Sequence, residues 1–524
     1  MLFNSYVFVF AFLPIVLAVF YLLGQSGGRR LAVTWLVLAS LFFYGWWNPA
    51  NLGLILASIF FNFSLGLMLN KTERGTTKAK SILAFGVAAN LVSIGYYKYA
   101  NFFVDNANFV LDAGWNFDTI ILPLAISFFT FQQIAYLVDA YAGETSEYNF
   151  LHYALFVTFF PQLIAGPIVH HKEMLPQFEF GNIYKFASNR LLIGATIFAI
   201  GLFKKTVIAD GIAVYATPVF FAADSGVELT FVEAWTGALA YTFQLYFDFS
   251  GYSDMAIGLA RMFGIRLPLN FFSPYKANNI IDFWRRWHMT LSRFLRDYVY
   301  IPLGGSRRGP SRRHVNLMIT MLLGGLWHGA GWTFVIWGAL HGTYLVINHG
   351  FNHVRVEVFG RPAEGGAAGR AVARVVTFVA VVVGWVFFRA ETFPGALAVL
   401  EGMAGMNGFV LPQQVGAALG PIGDGLAAMG WQFTAEAPAH FYGMRSIGYL
   451  ALLMTIIWYL PNTYEIMQRY RPAMEVYAHS KIPTIAGLRL QWRLTPGWAA
   501  VGGACACIAI LGMSSVSEFL YFQF

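Results

Sequence analysis

RRHVNLMITMLLGGLWHGAGW, residues 312–332, decides how the whole chain is read. It opens on two arginines and then continues to Trp332 without another Asp, Glu, Lys or Arg. At 1.5 Å per helical residue such a run crosses most of about 30 Å of hydrocarbon. Apolar runs of comparable kind recur at 6–23, 31–47, 52–69, 81–97, 119–137, 191–203, 234–260, 332–348, 372–388, 446–460 and 498–514. Composition agrees. Of 524 residues 57% are hydrophobic and 11% charged, against about 25% charged in soluble domains, and the mean hydropathy is +0.57. A water-soluble surface cannot be built from that. The sequence predicts an all-α, polytopic membrane protein.

The net charge of +8 is spent on topology, because the bases fall between the apolar runs. Arg29 and Arg30 follow the first run; Lys71, Arg74, Lys78 and Lys80 follow the third; Arg307, Arg308, Arg312 and Arg313 form the densest cluster. These segments are expected in the cytoplasm, as are those around Arg355, Arg361, Arg370 and Arg374 and around Arg469, Arg471, Lys481, Arg489 and Arg493. The N-terminus is then outside, and the run at 6–23 reads as a retained span because no basic segment precedes it. The segment 98–118, with three Asp and one Lys, is expected as an outside loop. So is Arg389–Arg445, whose interior carries only acids and offers the largest surface to an extracytoplasmic partner. Asp139–Glu147 should be inside by alternation, yet contains no base. Segments 150–169 and 315–328 are apolar but interrupted by Pro or Gly pairs, which lipid tolerates only where protein surrounds the backbone. No internal repeat or linker divides the chain, so 1–524 reads as a single membrane domain.

Few residues can carry chemistry. His328 lies 15 residues beyond Arg313, roughly 22 Å along a helix, and an ionisable side chain at that depth is a functional candidate by default. Glycines flank it and the indoles of Trp327 and Trp332 can wall it; the alternative is a histidine that glues two spans. Trp284, Trp287, Leu291, Phe294, Leu295 and Tyr298 recur at helical spacing, so Asp282–Asp297 reads as one amphipathic helix at the cytoplasmic interface. His288 points to its apolar side, either to position a donor or to anchor the helix. Arg285 and Arg286 suit phosphate or anionic lipid equally. Gln244–Asp254 places Tyr246, Asp248 and Asp254 in an apolar run, where they either hydrogen-bond for structure or line a substrate path. Spacing keeps the two Asp residues off one face, against a carboxylate dyad. His341 sits off the face of His328 and reads as packing. Cys505 and Cys507 stand alone, and no phosphate loop, zinc helix or serine elbow occurs. No metal and no bound cofactor is expected.

Phe160–Pro167, Gln244–Asp254, Phe283–His288 continuing to Tyr298, and Leu326–Gly329 together resemble the membrane-bound O-acyltransferase (MBOAT) family, and within it the bacterial alginate O-acetylation branch. The characteristic pieces cover residues 6–388, Glu518–Phe524 also looks like that branch, and the rest of 389–524 is less characteristic. The resemblance implies about 11–13 transmembrane or re-entrant helices around a central funnel in the bacterial inner membrane. It implies His328 as the active-site histidine and His288 as the donor-side one, with acetyl-CoA as the acyl donor. It also implies that periplasmic acetyltransferase partner proteins finish the acetylation of an exopolysaccharide. The residues leave two routes open: His328 as general base or as a transiently acylated nucleophile. They also leave open a D-alanyl group delivered by a carrier protein, and a glycan or lipid transporter with His328 as proton relay. Transporters commonly carry inverted repeats, which are absent here.

Overall fold

Local sequence sets the helix ends. Thr76 accepts from the N–H of Ala79 at 3.2 Å to start Thr77–Ile94, Asn279 accepts from Asp282 at 2.8 Å to start Ile280–Trp284, and Thr230 and Glu233 form a capping box for Phe231–Met262. Pro310 and Pro496 occupy first helical turns, where a missing N–H does no harm. The computed structural model describes residues 1–112, 114–147, 149–360, 362, 365–474, 484–485, 488–514 and 520. Arg361, Lys481 and, apart from Leu520, the segment Glu518–Phe524 lie outside the described residues.

The protein is an all-α, multi-pass membrane protein. Among the described residues five helices are long and apolar enough to cross a membrane: Phe8–Gln25, Ala50–Lys71, Thr77–Leu111, Ser188–Asp224 and Ala367–Arg389. Helices also cover the other apolar runs, among them Arg29–Gly45, Ile126–Ala142, Phe231–Met262 and the hairpin Pro310–His328 with Trp332–His353. The 32-residue Phe231–Met262 helix is buried along nearly its whole length and packs against Ser188–Phe203 and Asp210–Asp224.

Several expectations are corrected. Residues 98–111 are not a loop; the fourth helix continues through a π-turn at Gly95–Tyr99 to Leu111. The Gly324-Gly325 pair does not break its span, since Pro310–His328 is one helix. There the glycines serve close approach. A Cβ on Gly338 would stand 2.5 Å from the carbonyl oxygen of Met321, and one on Gly325 would strike the carbonyl of Phe334, so the two helices of the hairpin meet backbone to backbone. Gly338→Leu should therefore prevent the hairpin from closing, with most of the purified protein lost from the monodisperse peak in size-exclusion chromatography; Gly338→Ala should lose less. The segment 389–445 contains the helices Phe393–Met403, Gln413–Leu419 and Pro421–Ala428 and a parallel strand pair, Val410–Pro412 with Gln432–Thr434.

Asp282–Asp297 is not one interfacial helix. It breaks between Trp284 and Met289, with His288 in the left-handed region at φ 41°. The segment beside it takes the hydrogen bonds that a continuous helix would use: Phe272 N–H donates to Arg286 O and Met289 N–H to Asn270 O, both at 2.9 Å. Trp287, His288 and Leu291 are buried within the protein instead of lying on lipid.

Contacts tie the loops into two faces. Tyr184 packs on Gly24, Arg74 lies over Gly143, Lys172 pairs with Glu144, Gln177 bonds Arg266, and Arg293 pairs with Glu173. This is the basic face. It supplies from neighbouring segments the positive charge that Asp139–Glu147 lacks in its own sequence. On the opposite face Tyr44 donates to Leu124 O at 2.8 Å, Trp332 to Asn106 Oδ1 at 2.8 Å, and Phe231 N–H to Gly408 O at 3.0 Å.

Candidate active site

Two separate stretches bring the histidines together. His328 is the last residue of its helix, and His288 sits at the break described above, with ring centroids 6.4 Å apart. His288 is fully buried and His328 is 3% exposed. Trp327 lies against both, at 5.9 Å from His288 and 4.9 Å from His328. Phe249 meets His288 edge-on at 4.7 Å. Trp337 and Phe388 each stand 5.0 Å from His328. The walls are aromatic, which leaves little room for water around the two imidazoles.

The tautomer of His288 follows from a chain of hydrogen bonds. The Ile168 N–H donates to Thr290 Oγ1 at 3.0 Å, so the threonine hydroxyl is left to donate to Asn270 Oδ1, also at 3.0 Å. Asn270 Oδ1 is therefore the acceptor, and His288 Nδ1, 3.1 Å from it, carries the proton. The lone pair is on Nε2. Ile168 follows Phe160–Pro167 directly, so that motif acts on the site through backbone. The left-handed backbone at His288 is of the sparsely populated kind that collects at functional sites.

His328 is fixed from behind. Lys98 Nζ donates to the carbonyls of Trp327 at 2.5 Å and His328 at 3.1 Å, and Tyr99 Oη to that of Leu326 at 2.5 Å. These are end-of-helix carbonyls, which have no partner within their own helix. Lys98 was not visible as a site residue in sequence, where it read as the first residue of a loop. As a positioning residue it should act on turnover: Lys98→Met should lower kcat about 10²-fold with KM for the donor little changed, measured on purified protein that still elutes as folded.

A cavity of about 200 Å³ opens beside His328 toward the face opposite the arginines. Its walls include Tyr44, Asn48, Asn51, Lys98, Ser127 and Trp327, and His288 is not among them. Pockets for drug-sized ligands are about 300–1,000 Å³, so this cavity has room for a small group and not for a whole polymer unit. From the basic face a column of aromatic rings leads inward: Tyr298 to Phe294 at 4.9 Å, Phe294 to Phe131 at 4.2 Å, and Phe131 to Trp327 at 5.5 Å. At its foot Tyr298 Oη donates to Asp139 Oδ1 at 2.7 Å and lies 3.0 Å from His170 Nδ1, while Arg293 holds Glu173 through two nitrogens at 2.6 and 2.9 Å. Sequence reasoning did not find this cluster, because its members come from four segments.

The remaining expected site residues lie elsewhere. Trp332 is 59% exposed and bonded to Asn106, at the rim. Asp248 pairs with Lys205 Nζ at 2.8 Å and accepts from Leu520 N–H at 3.1 Å; Asp254 pairs with Lys204 at 2.6 Å and accepts from Thr463 Oγ1 at 2.7 Å. Tyr246 packs on Tyr275 at 5.4 Å. Of this helix it is Phe249, three residues beyond Tyr246 and so about 60° around from it, that touches the histidine pair. Arg286 is held by Asp282 at 2.8 Å, and Arg285 is exposed. His341 is boxed by Trp337 at 4.7 Å and Trp284 at 5.2 Å. Among the described residues no group of His, Cys, Asp or Glu could hold a metal ion.

Two buried histidines lie in an aromatic chamber inside a helical membrane bundle, and a cavity opens beside one of them. Residues 140–383 match the MBOAT, membrane-bound O-acyltransferase family. The chain is 47% identical over 438 residues to the peptidoglycan O-acetyltransferase of Helicobacter pylori, across 78% of this chain and 81% of that one. It is 38% identical over 530 residues to the probable alginate O-acetylase AlgI of Pseudomonas putida, across the full length of both. With the teichoic acid D-alanyltransferase of Streptococcus thermophilus it shares 29% identity over 233 residues, 43% of this chain and 56% of that one. The chain belongs to the membrane-bound O-acyltransferase family and is an O-acyltransferase.

Proposed function

We propose that the chain takes an acetyl group from acetyl-CoA at the cytoplasmic, basic face of the inner membrane and hands it to a hydroxyl at the opposite face. The N-terminus then lies outside. The observation that carries this reading is the division of the two histidines: His328 lines the outward cavity and His288 stands 6.4 Å behind it, out of that cavity. An imidazole nitrogen of His328 accepts the proton of the incoming hydroxyl, whose oxygen bonds to the thioester carbonyl carbon. The C–S bond breaks, and the thiolate leaves with a proton returned from the imidazolium. In the two-step alternative a His328 nitrogen bonds to the thioester carbonyl carbon, the C–S bond breaks and the thiol leaves with the imidazole proton; the hydroxyl oxygen then bonds to the acyl carbon, the C–N bond breaks and the imidazole takes up the hydroxyl proton. His288, with its Nδ1 proton held by Asn270, faces the donor side.

The acetyl group then serves O-acetylation of a cell-surface polymer, an exopolysaccharide such as alginate, through partner proteins outside. The names of the relatives include alginate and peptidoglycan. The surface for such partners is the segment between Arg389 and Arg445, which exposes Met406, Ile422 and Met429. The test compares radiolabelled acetyl-CoA with a D-alanyl carrier thioester as donor to the purified chain. Label transfer from acetyl-CoA alone is expected, and transfer from the carrier alone would replace this donor. Ester content of exopolysaccharide and of peptidoglycan in a deletion strain then identifies the polymer.

A further inference from the structure

A second feature lies on the lipid-facing side, away from the histidines. The helices Phe8–Gln25, Ser188–Asp224 and Pro496–Leu511 enclose a groove of about 780 Å³ whose walls include Leu17, Leu22, Leu192, Ala195 and Ile510 and no charged side chain. At its basic end Gln25 and Phe186 belong both to the groove and to a recess of about 470 Å³ that holds Arg29 and Lys185. Tyr21, in the groove wall, donates to Met262 O and lies in the field of Arg190 and Arg261. Those two arginines line an adjoining recess of about 480 Å³ together with Arg266. Among the described residues no Asp or Glu lines the groove or either recess.

The absence of acids separates these five bases from their neighbours. Elsewhere on the same face Lys172 is paired with Glu144, Arg286 with Asp282, Arg293 with Glu173 and Arg296 with Asp297. Among the described residues none of Arg29, Lys185, Arg190, Arg261 and Arg266 has a carboxylate partner, and the buried Nε of Arg261 has no hydrogen-bond acceptor. Topology alone asks for bases near a span end; it does not ask that they cluster unpaired around the mouth of an apolar groove. Guanidinium forks match phosphate oxygens, and basic pockets between spans on the cytoplasmic side hold anionic headgroups.

We propose that this groove and its basic end form a specific site for one anionic phospholipid, with an acyl chain along Leu17, Leu22 and Ala195 and the phosphate between Arg29, Arg190 and Arg261. The test is native mass spectrometry of the full chain in detergent. It is titrated with dioleoylphosphatidylglycerol, with dioleoylphosphatidylcholine, and with glycerol phosphate alone. Phosphatidylglycerol should bind at least tenfold more tightly than phosphatidylcholine. Arg261→Gln with Arg266→Gln should abolish that preference, and Ala195→Trp, which fills the groove and leaves every arginine in place, should weaken phosphatidylglycerol at least tenfold. Equal binding of the two lipids by the unaltered chain would reduce the groove to ordinary lipid contact and overturn the proposal, whether or not the variants fold. Glycerol phosphate binding as tightly as the lipid, unaffected by Ala195→Trp, would make it a site for a free phosphate and overturn it equally.

Discussion

Replacing His328 by alanine is expected to lower acyl transfer about 10²- to 10⁴-fold, the range for loss of a positioned general base. The side chain lies at the base of a cavity of about 200 Å³, so truncation removes the proton acceptor without exposing a surface on which the fold depends. The variant should purify as folded protein. His328→Gln keeps much of the side-chain volume and none of the basicity, and should be as inactive. In cells the polymer should lose its esters while its secretion continues; halted secretion would favour a transporter. His288→Ala should also lower transfer, but the left-handed backbone there and the bond to Asn270 make it partly a structural change. His328 is therefore the cleaner test.

The second large effect is on stability. Lys205 is nearly buried and its Nζ lies 2.8 Å from both Asp248 and Asp210. Lys205→Met leaves Asp248, 1% exposed, without its cation. Removing one partner of a buried pair costs about 3–5 kcal/mol, enough to remove most of the folded protein. Adding Asp248→Leu deletes the stranded charge, and the double variant should recover a large part of the loss, since an apolar pair of similar volume is often neutral in such places. Thermal unfolding of the detergent-purified variants reads both. If the double variant were no more stable than Lys205→Met, the ion pair would not be what those residues supply.

How far the sequence carried the reading depended on whether a feature was local. Apolar runs and basic flanks are local, so the membrane class and most spans could be read directly. Trp327, His328 and the glycines around them also sit in one stretch, so the candidate site could be placed there from sequence. Lys98 and Tyr99 were missed because their partners are carbonyls more than 220 positions away, and nothing at Lys98 marks it. The break at His288 was missed because periodicity in Asp282–Asp297 fits a helix. What opposes that helix is the backbone of residues 270–272, which no local pattern shows. For Asp248 the sequence left a structural bond and a substrate path open, because its partner Lys205 stands on another helix, in a π-turn covering Lys204–Ala209. Phe249 rather than Tyr246 reaches the histidines for a reason that helix periodicity allows but does not choose, because the whole circumference of Phe231–Met262 is buried.

The account stands on a transfer that begins on one face of the membrane and ends on the other, with His328 between. Vesicles containing the purified chain in one known orientation measure this directly. Labelled acyl thioester is confined to the side bearing Arg307–Arg313, and a hydroxyl acceptor is supplied either on that side or on the opposite one. Labelled ester should form only with the acceptor opposite the arginines, and should vanish with His328→Ala. Ester formed only when donor and acceptor share a side would contradict the account.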